Sequence, residues 1–106
     1  MTDKEHREIL EKALAVQKCI DSIDMHNEWI QNIIKKWNSL NNIKSYWITI
    51  SGYVGENGNT TTVDIALNPD DGEDMIKLIK EKLEKVIQGH EKSIYEEHEK
   101  LNSLLK

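Results

Sequence analysis

Apolar residues recur along the first third of the chain in alternating steps of four and three: Ile9, Ala13, Val16, Ile20, Ile23, Ile30, Ile34 and Trp37, with Asn27 in the stripe. A repeat near 3.5 residues belongs to a helix that packs lengthwise on another helix. Thr2 and Glu5 have the spacing of a capping box, so the helix begins at the start of the chain. Asn38, Ser39, Asn41 and Asn42 weaken it near residue 41, because their side chains compete for backbone hydrogen bonds.

The period then changes from 3.5 to 2. Ile48, Ile50 and Val54 alternate with Trp47, Thr49, Ser51 and Tyr53, and Val63, Ile65 and Leu67 alternate with Thr62, Asp64 and Ala66. Gly55-Glu56-Asn57-Gly58 between them supplies turn residues that tolerate positive φ. The pattern predicts one β-hairpin over about 45–67, with an aliphatic face lying on the helices. A second helix follows over about 69–105. Asn68 can cap it, Pro69 suits its first turn, and Asp70, Asp71, Glu73 and Asp74 oppose the positive helix end. Its stripe is Ile76, Ile79, Leu83, Val86, Ile87, Ile94 and Leu101, with Gly89 inside it. Glu81–Lys85 and Glu96–Lys100 have the spacing of i,i+4 pairs. The fold class expected is α+β: long helix, two-stranded antiparallel hairpin, long helix, in a single domain of 106 residues.

The apolar arc of the first helix is wider than one partner helix covers. Leu10, Leu14, Trp29, Ile33 and Leu40 are therefore expected at an interface between subunits. A 38% hydrophobic content and a short chain point the same way, toward self-association.

Charge narrows the partners. Residues 1–53 balance seven acids against seven bases, whereas residues 54–106 carry twelve acids and seven lysines, so the net −5 lies in the second half. Arg7 is the only arginine, and direct nucleic-acid binding is not expected. One cysteine, Cys19, excludes an internal disulfide and reads as a small core residue. No leader and no run of about 20 apolar residues is visible, so a cytoplasmic protein is expected.

Catalytic and metal signatures are weak. His26 and His90 fall at one level of an antiparallel helix pair, near Asp24, Glu28 and Glu91, but no zinc spacing accompanies them. The acids from Asp70 to Asp74 lack the regular spacing of a calcium loop and read as helix-capping charge. No serine sits in a nucleophile pattern, and the hairpin glycines are not a phosphate loop. No cofactor, no metal and no enzyme activity is expected.

The order long helix, hairpin, long helix resembles, as architecture, the β-type prefoldin subunit. That resemblance implies hairpins joined into a barrel and helical arms that clasp unfolded clients. In style the chain is also similar to small acidic proteins of phages and mobile elements, some of which block host defence.

Three readings follow. The first is a non-enzymatic oligomeric binding protein, encoded by a phage or prophage, that occludes a host protein. Its contacts would be Trp47, Tyr53, Thr62 and Asp64 of the hairpin, plus Asp70, Asp71, Glu73 and Asp74, where acidic surface meets a basic target. The second is a prefoldin-like holdase that binds clients at Ile9, Leu10, Leu101, Leu104 and Leu105. The third is a sponge for a small nucleotide at a subunit interface, with Lys35, Lys36 and Lys44 as its nearest cations.

Overall fold

A computed structural model describes all residues, Met1–Lys106. The chain forms α1 (Asp3–Leu40), β1 (Tyr46–Val54), β2 (Asn59–Leu67) and α2 (Pro69–Leu104), and no helix is long and apolar enough to cross a membrane. Thr2 Oγ1 accepts from the Glu5 backbone N–H at 3.1 Å and opens α1. Asn68 Oδ1 accepts from the Asp71 N–H at 2.8 Å and opens α2, with Pro69 in its first turn. Gly55 and Gly58 take φ of +70° and +72° at the hairpin turn, whereas Asn57 does not enter that region.

The helices pack on each other along their length, giving extents of 71 × 36 × 16 Å. In α1 the half-buried or buried positions are Val16, Cys19, Ile23, His26, Ile30, Ile33, Trp37 and Leu40, with Ala15 and Ser22 beside them. Apart from Ala15 and Ser22, these positions alternate in steps of three and four. They share Val16, Ile23, Ile30 and Trp37 with the stripe expected from sequence. The intervening positions, however, are Cys19, His26, Ile33 and Leu40, in place of Ile20, Asn27 and Ile34. The matching face of α2 is Ile76, Lys80, Leu83, Ile87, His90, Ile94, Glu97, Leu101 and Leu104, while Ile79 and Val86 are exposed.

The seam is thus more polar than the stripe suggested. His26 meets His90, and the Lys80 ammonium lies over the Trp37 ring at 5.3 Å while also bonding Asn41. Polar groups at seam positions match only their own partners, so they hold two helices in one register. Neither expected i,i+4 ion pair forms; the one ion pair is Lys100–Glu97, at 3.4 Å.

The hairpin departs most from expectation. Its aliphatic face meets the helix pair only at the base, at Tyr46, and Ile48 and Leu67 beside it are half-buried, instead of lying along the helices. Both strands touch α2 only near their base, and α1 touches neither strand. The anchor is Tyr46, whose ring sits against Gly72, the one buried residue of α2. Beyond it the strands run outward from the helix pair, and nearly every residue of both is exposed. Only four of the 106 residues are buried: Cys19, Ile23, Ile33 and Gly72.

Candidate functional site

The strand register decides what the hairpin can present. Trp47 pairs with Ala66, Thr49 with Asp64, Ser51 with Thr62 and Tyr53 with Thr60. Successive residues point to opposite faces of a strand, so all eight share one face. Trp47, Tyr53, Thr62 and Asp64 are therefore brought together as expected, with Thr49 and Ser51 among them. Thr49 Oγ1 donates to Asp64 Oδ1 at 2.7 Å, and the Ser51 and Thr62 hydroxyls share a hydrogen bond of 3.0 Å. The face is a short polar ladder with one exposed aromatic at each end, Trp47 near the base and Tyr53 near the turn. Aromatic anchors flanking bonded polar groups suit a protein contact: the rings supply area at little entropic cost, and the ladder fixes orientation.

The acidic group lies elsewhere on the chain. Asp70, Asp71, Glu73 and Asp74 are exposed in the opening turns of α2. Asn68 Nδ2 donates to Asp71 Oδ2 at 2.9 Å, so Asp71 serves the helix cap. Trp47 pairs one residue before the end of β2 and lies near this group. Tyr53 pairs seven residues before that end, which places it about 23 Å away along the strand. The two sets do not form one compact patch.

Of the residues expected between subunits, Ile33 and Leu40 belong to the intrachain seam, and α2 covers them. Leu10, Leu14 and Trp29 are exposed. Trp29 nevertheless has a partner within the chain, stacking on His90 with centroids 5.9 Å apart. The tips are mixed: Ile9, Leu10 and Leu105 are exposed, whereas Leu101 and Leu104 are half-buried.

The His26 and His90 Nδ1 atoms are 2.7 Å apart, as their level in the helix pair implied. A bond that short needs one ring to donate and the other to accept. No group of three or more metal-ligating side chains forms anywhere, so Asp24, Glu28 and Glu91 do not complete a donor set around them.

An open groove of about 830 Å³ runs between the outer ends of the helices, lined by Lys18, Cys19, Ser22, Glu97 and Lys100 among others. Glu96 and Glu99 also line it, so carboxylates would oppose a phosphate there. Lys36 borders a smaller hollow of about 310 Å³ beside Trp29 and His90, while Lys35 and Lys44 line no hollow. Burial, and then the neighbouring Glu97 carboxylate, push the Cys19 thiol up. The neighbouring Glu99 carboxylate pushes the exposed Tyr95 phenol up. Both effects favour the neutral, less nucleophilic form.

Reasoning from the sequence missed the Tyr46–Gly72 anchor and, within the polar seam, the contacts of Lys80 with Trp37 and Asn41. A glycine in the first turn of an otherwise good helix was the available signal for the anchor, since it marks a close approach. Compared with known proteins, the chain matches no family model, no curated protein and no solved structure.

Proposed function

We propose that the chain is a self-assembling binding protein without catalytic activity, in which the helix pair is a strut and the hairpin is the contact module. The observation that carries this reading is the hairpin, held at its base and exposed on both faces and both edges. A lone two-stranded hairpin is marginal in water, and open edges invite pairing. Surface area supports the same reading. The chain exposes 8697 Å². A compact monomer of 12.3 kDa would expose about 6,100 Å². The excess, about 2,600 Å², exceeds the roughly 800 Å² that each partner contributes to a standard interface.

In this reading Trp47 and Tyr53 meet a protein partner, and Asp70, Asp71, Glu73 and Asp74 face basic groups on it. Occlusion of a host protein by a phage- or prophage-encoded inhibitor is the setting that suits a small acidic chain rich in Lys, Ile and Asn. Native mass spectrometry across protein concentrations tests the assembly; a monomer at every concentration overturns it. Affinity capture with wild type and with a Trp47→Ala, Tyr53→Ser variant tests the contact face. Identical captured proteins would remove that face from the reading.

A second reading, a prefoldin-like holdase, draws on one observation of its own. The end of the strut opposite the hairpin exposes Ile9, Leu10, Leu14 and Leu105. It predicts suppressed aggregation of a denatured test protein, and loss of that suppression when those four become serine.

A further inference from the structure

We propose that the aliphatic face of the hairpin is the assembly surface, and that its occupant is the same face of a second copy. This rests on the self-assembly reading above and says where the copies meet.

The register puts Ile50 opposite Val63 and Ile48 opposite Ile65, with Val54 next along the face toward the turn. Ile50 is 58% exposed, Val54 54%, Val63 49% and Ile65 44%. Strict alternation of aliphatic with polar residues is the mark of a sheet with one covered face. In this chain the helix pair covers only its base, where Tyr46 sits on Gly72 and Ile48 and Leu67 are half-buried, and Ile50, Val54, Val63 and Ile65 stay exposed.

Charge narrows the occupant. The ten residues on this face are Tyr46, Ile48, Ile50, Gly52 and Val54 of β1 with Asn59, Thr61, Val63, Ile65 and Leu67 of β2, and none is charged. Charged residues make up 31% of the chain. Two copies at −5 each repel, yet they can meet here without burying or opposing a single charge. An acidic or basic partner would find nothing to pair with. An aliphatic, uncharged, strand-shaped surface fits, and a second copy supplies one by two-fold symmetry. Sheets packed face to face sit about 10 Å apart and interdigitate such side chains. Packing this way leaves Trp47, Tyr53, Thr62 and Asp64 on the outer faces of the pair.

The test compares masses in solution by light scattering. Wild type is expected above 12.3 kDa, Val63→Glu at 12.3 kDa with its helical circular dichroism retained, and Leu14→Glu at the wild-type mass. Because Val63→Glu could unfold the hairpin itself, Cys19→Ser, Val63→Cys provides a second measurement. Mild oxidation should cross-link its copies, whereas Cys19→Ser, Thr62→Cys on the opposite face should not cross-link. A Val63→Glu protein of wild-type mass, or cross-linking through position 62 and not 63, overturns the proposal and leaves self-assembly standing. A monomeric wild type overturns both.

Discussion

Replacing Gly72 with alanine should destabilise the protein, although alanine is the better helix former. A Cβ on Gly72 would lie 2.5 Å from Tyr46 Cβ and Cδ1, and closer still to Cγ. Carbon atoms in good contact are about 3.5–4.0 Å apart, so ring and helix must separate by more than about 1 Å. Tyr46 Cβ is fixed to the strand backbone, and a rotamer change cannot remove it. The base of the hairpin must move. Overpacking of this kind costs about 1–3 kcal/mol, while Gly→Ala in a helix returns about 0.5–1 kcal/mol. The net expectation is a loss of about 0.5–2 kcal/mol.

A second background makes the cause visible. In Tyr46→Gly the crowding atoms are gone, so adding Gly72→Ala should stabilise by about 0.5–1 kcal/mol. The sign reverses, and the coupling between the positions is about 1–3 kcal/mol. Urea unfolding followed by far-ultraviolet circular dichroism measures all four proteins. Protein concentration must be held constant, because the proposed assembly would add to apparent stability. Each 1 kcal/mol also moves the melting temperature by about 4–8 °C. Equal stabilisation by Gly72→Ala in both backgrounds would refute the close approach, and with it the anchoring of the hairpin on α2.

Two further outcomes follow from the seam. The raised Cys19 thiol is neutral in the fold, so its contribution to stability is present below the thiol's unfolded range near pH 8.5 and is lost as pH climbs through the higher folded value. Alkylation by iodoacetamide should therefore gain rate at higher pH in native protein than in urea, and Glu97→Gln should bring the native profile part of the way back; coincident native and unfolded profiles would refute this. Removing either histidine leaves a half-buried ring nitrogen without its partner, at a cost of about 1–2 kcal/mol. His90→Ala should cost more than His26→Ala, because it also removes the Trp29 stack, and the reverse order in urea unfolding would mean that the stack contributes nothing.

Local patterns carried most of the fold. The caps at Thr2 and Asn68, the change of period at the hairpin and the division of its faces all depend on residues near each other in sequence, and they could be read directly. The seam was half legible. Val16, Ile23, Ile30 and Trp37 belong to it, but the apolar pattern favoured Ile20 and Ile34 over Cys19 and His26 for the positions between. Hydrophobicity is a poor guide where polar residues on one helix find partners on the other, as His26 finds His90. The level of those two histidines was predictable because antiparallel pairing with a known turn fixes it. The pose of the hairpin was not legible. It depends on the short connector before β1 and on one tyrosine–glycine contact, and no periodicity reports either.

The hairpin and the strut set opposite demands, and together they narrow what the chain can be. A strut needs only enough seam to hold two helices in register, and three buried apolar side chains with paired polar groups between them supply that. A hairpin needs three strands or a covered face to be stable, and this one has neither within its own chain. Its two faces also differ in kind: one is uncharged and aliphatic, the other is a bonded polar ladder ended by aromatics. The aliphatic face gains only from being dry. On the ladder, Thr49 bonds Asp64 and Ser51 bonds Thr62, and its polar groups are well served by water when exposed. The proposed division of labour, assembly through the first face and recognition through the second, would satisfy both. A chain that assembled through Trp47 and Tyr53 would instead leave Ile50, Val54, Val63 and Ile65 wet in every state.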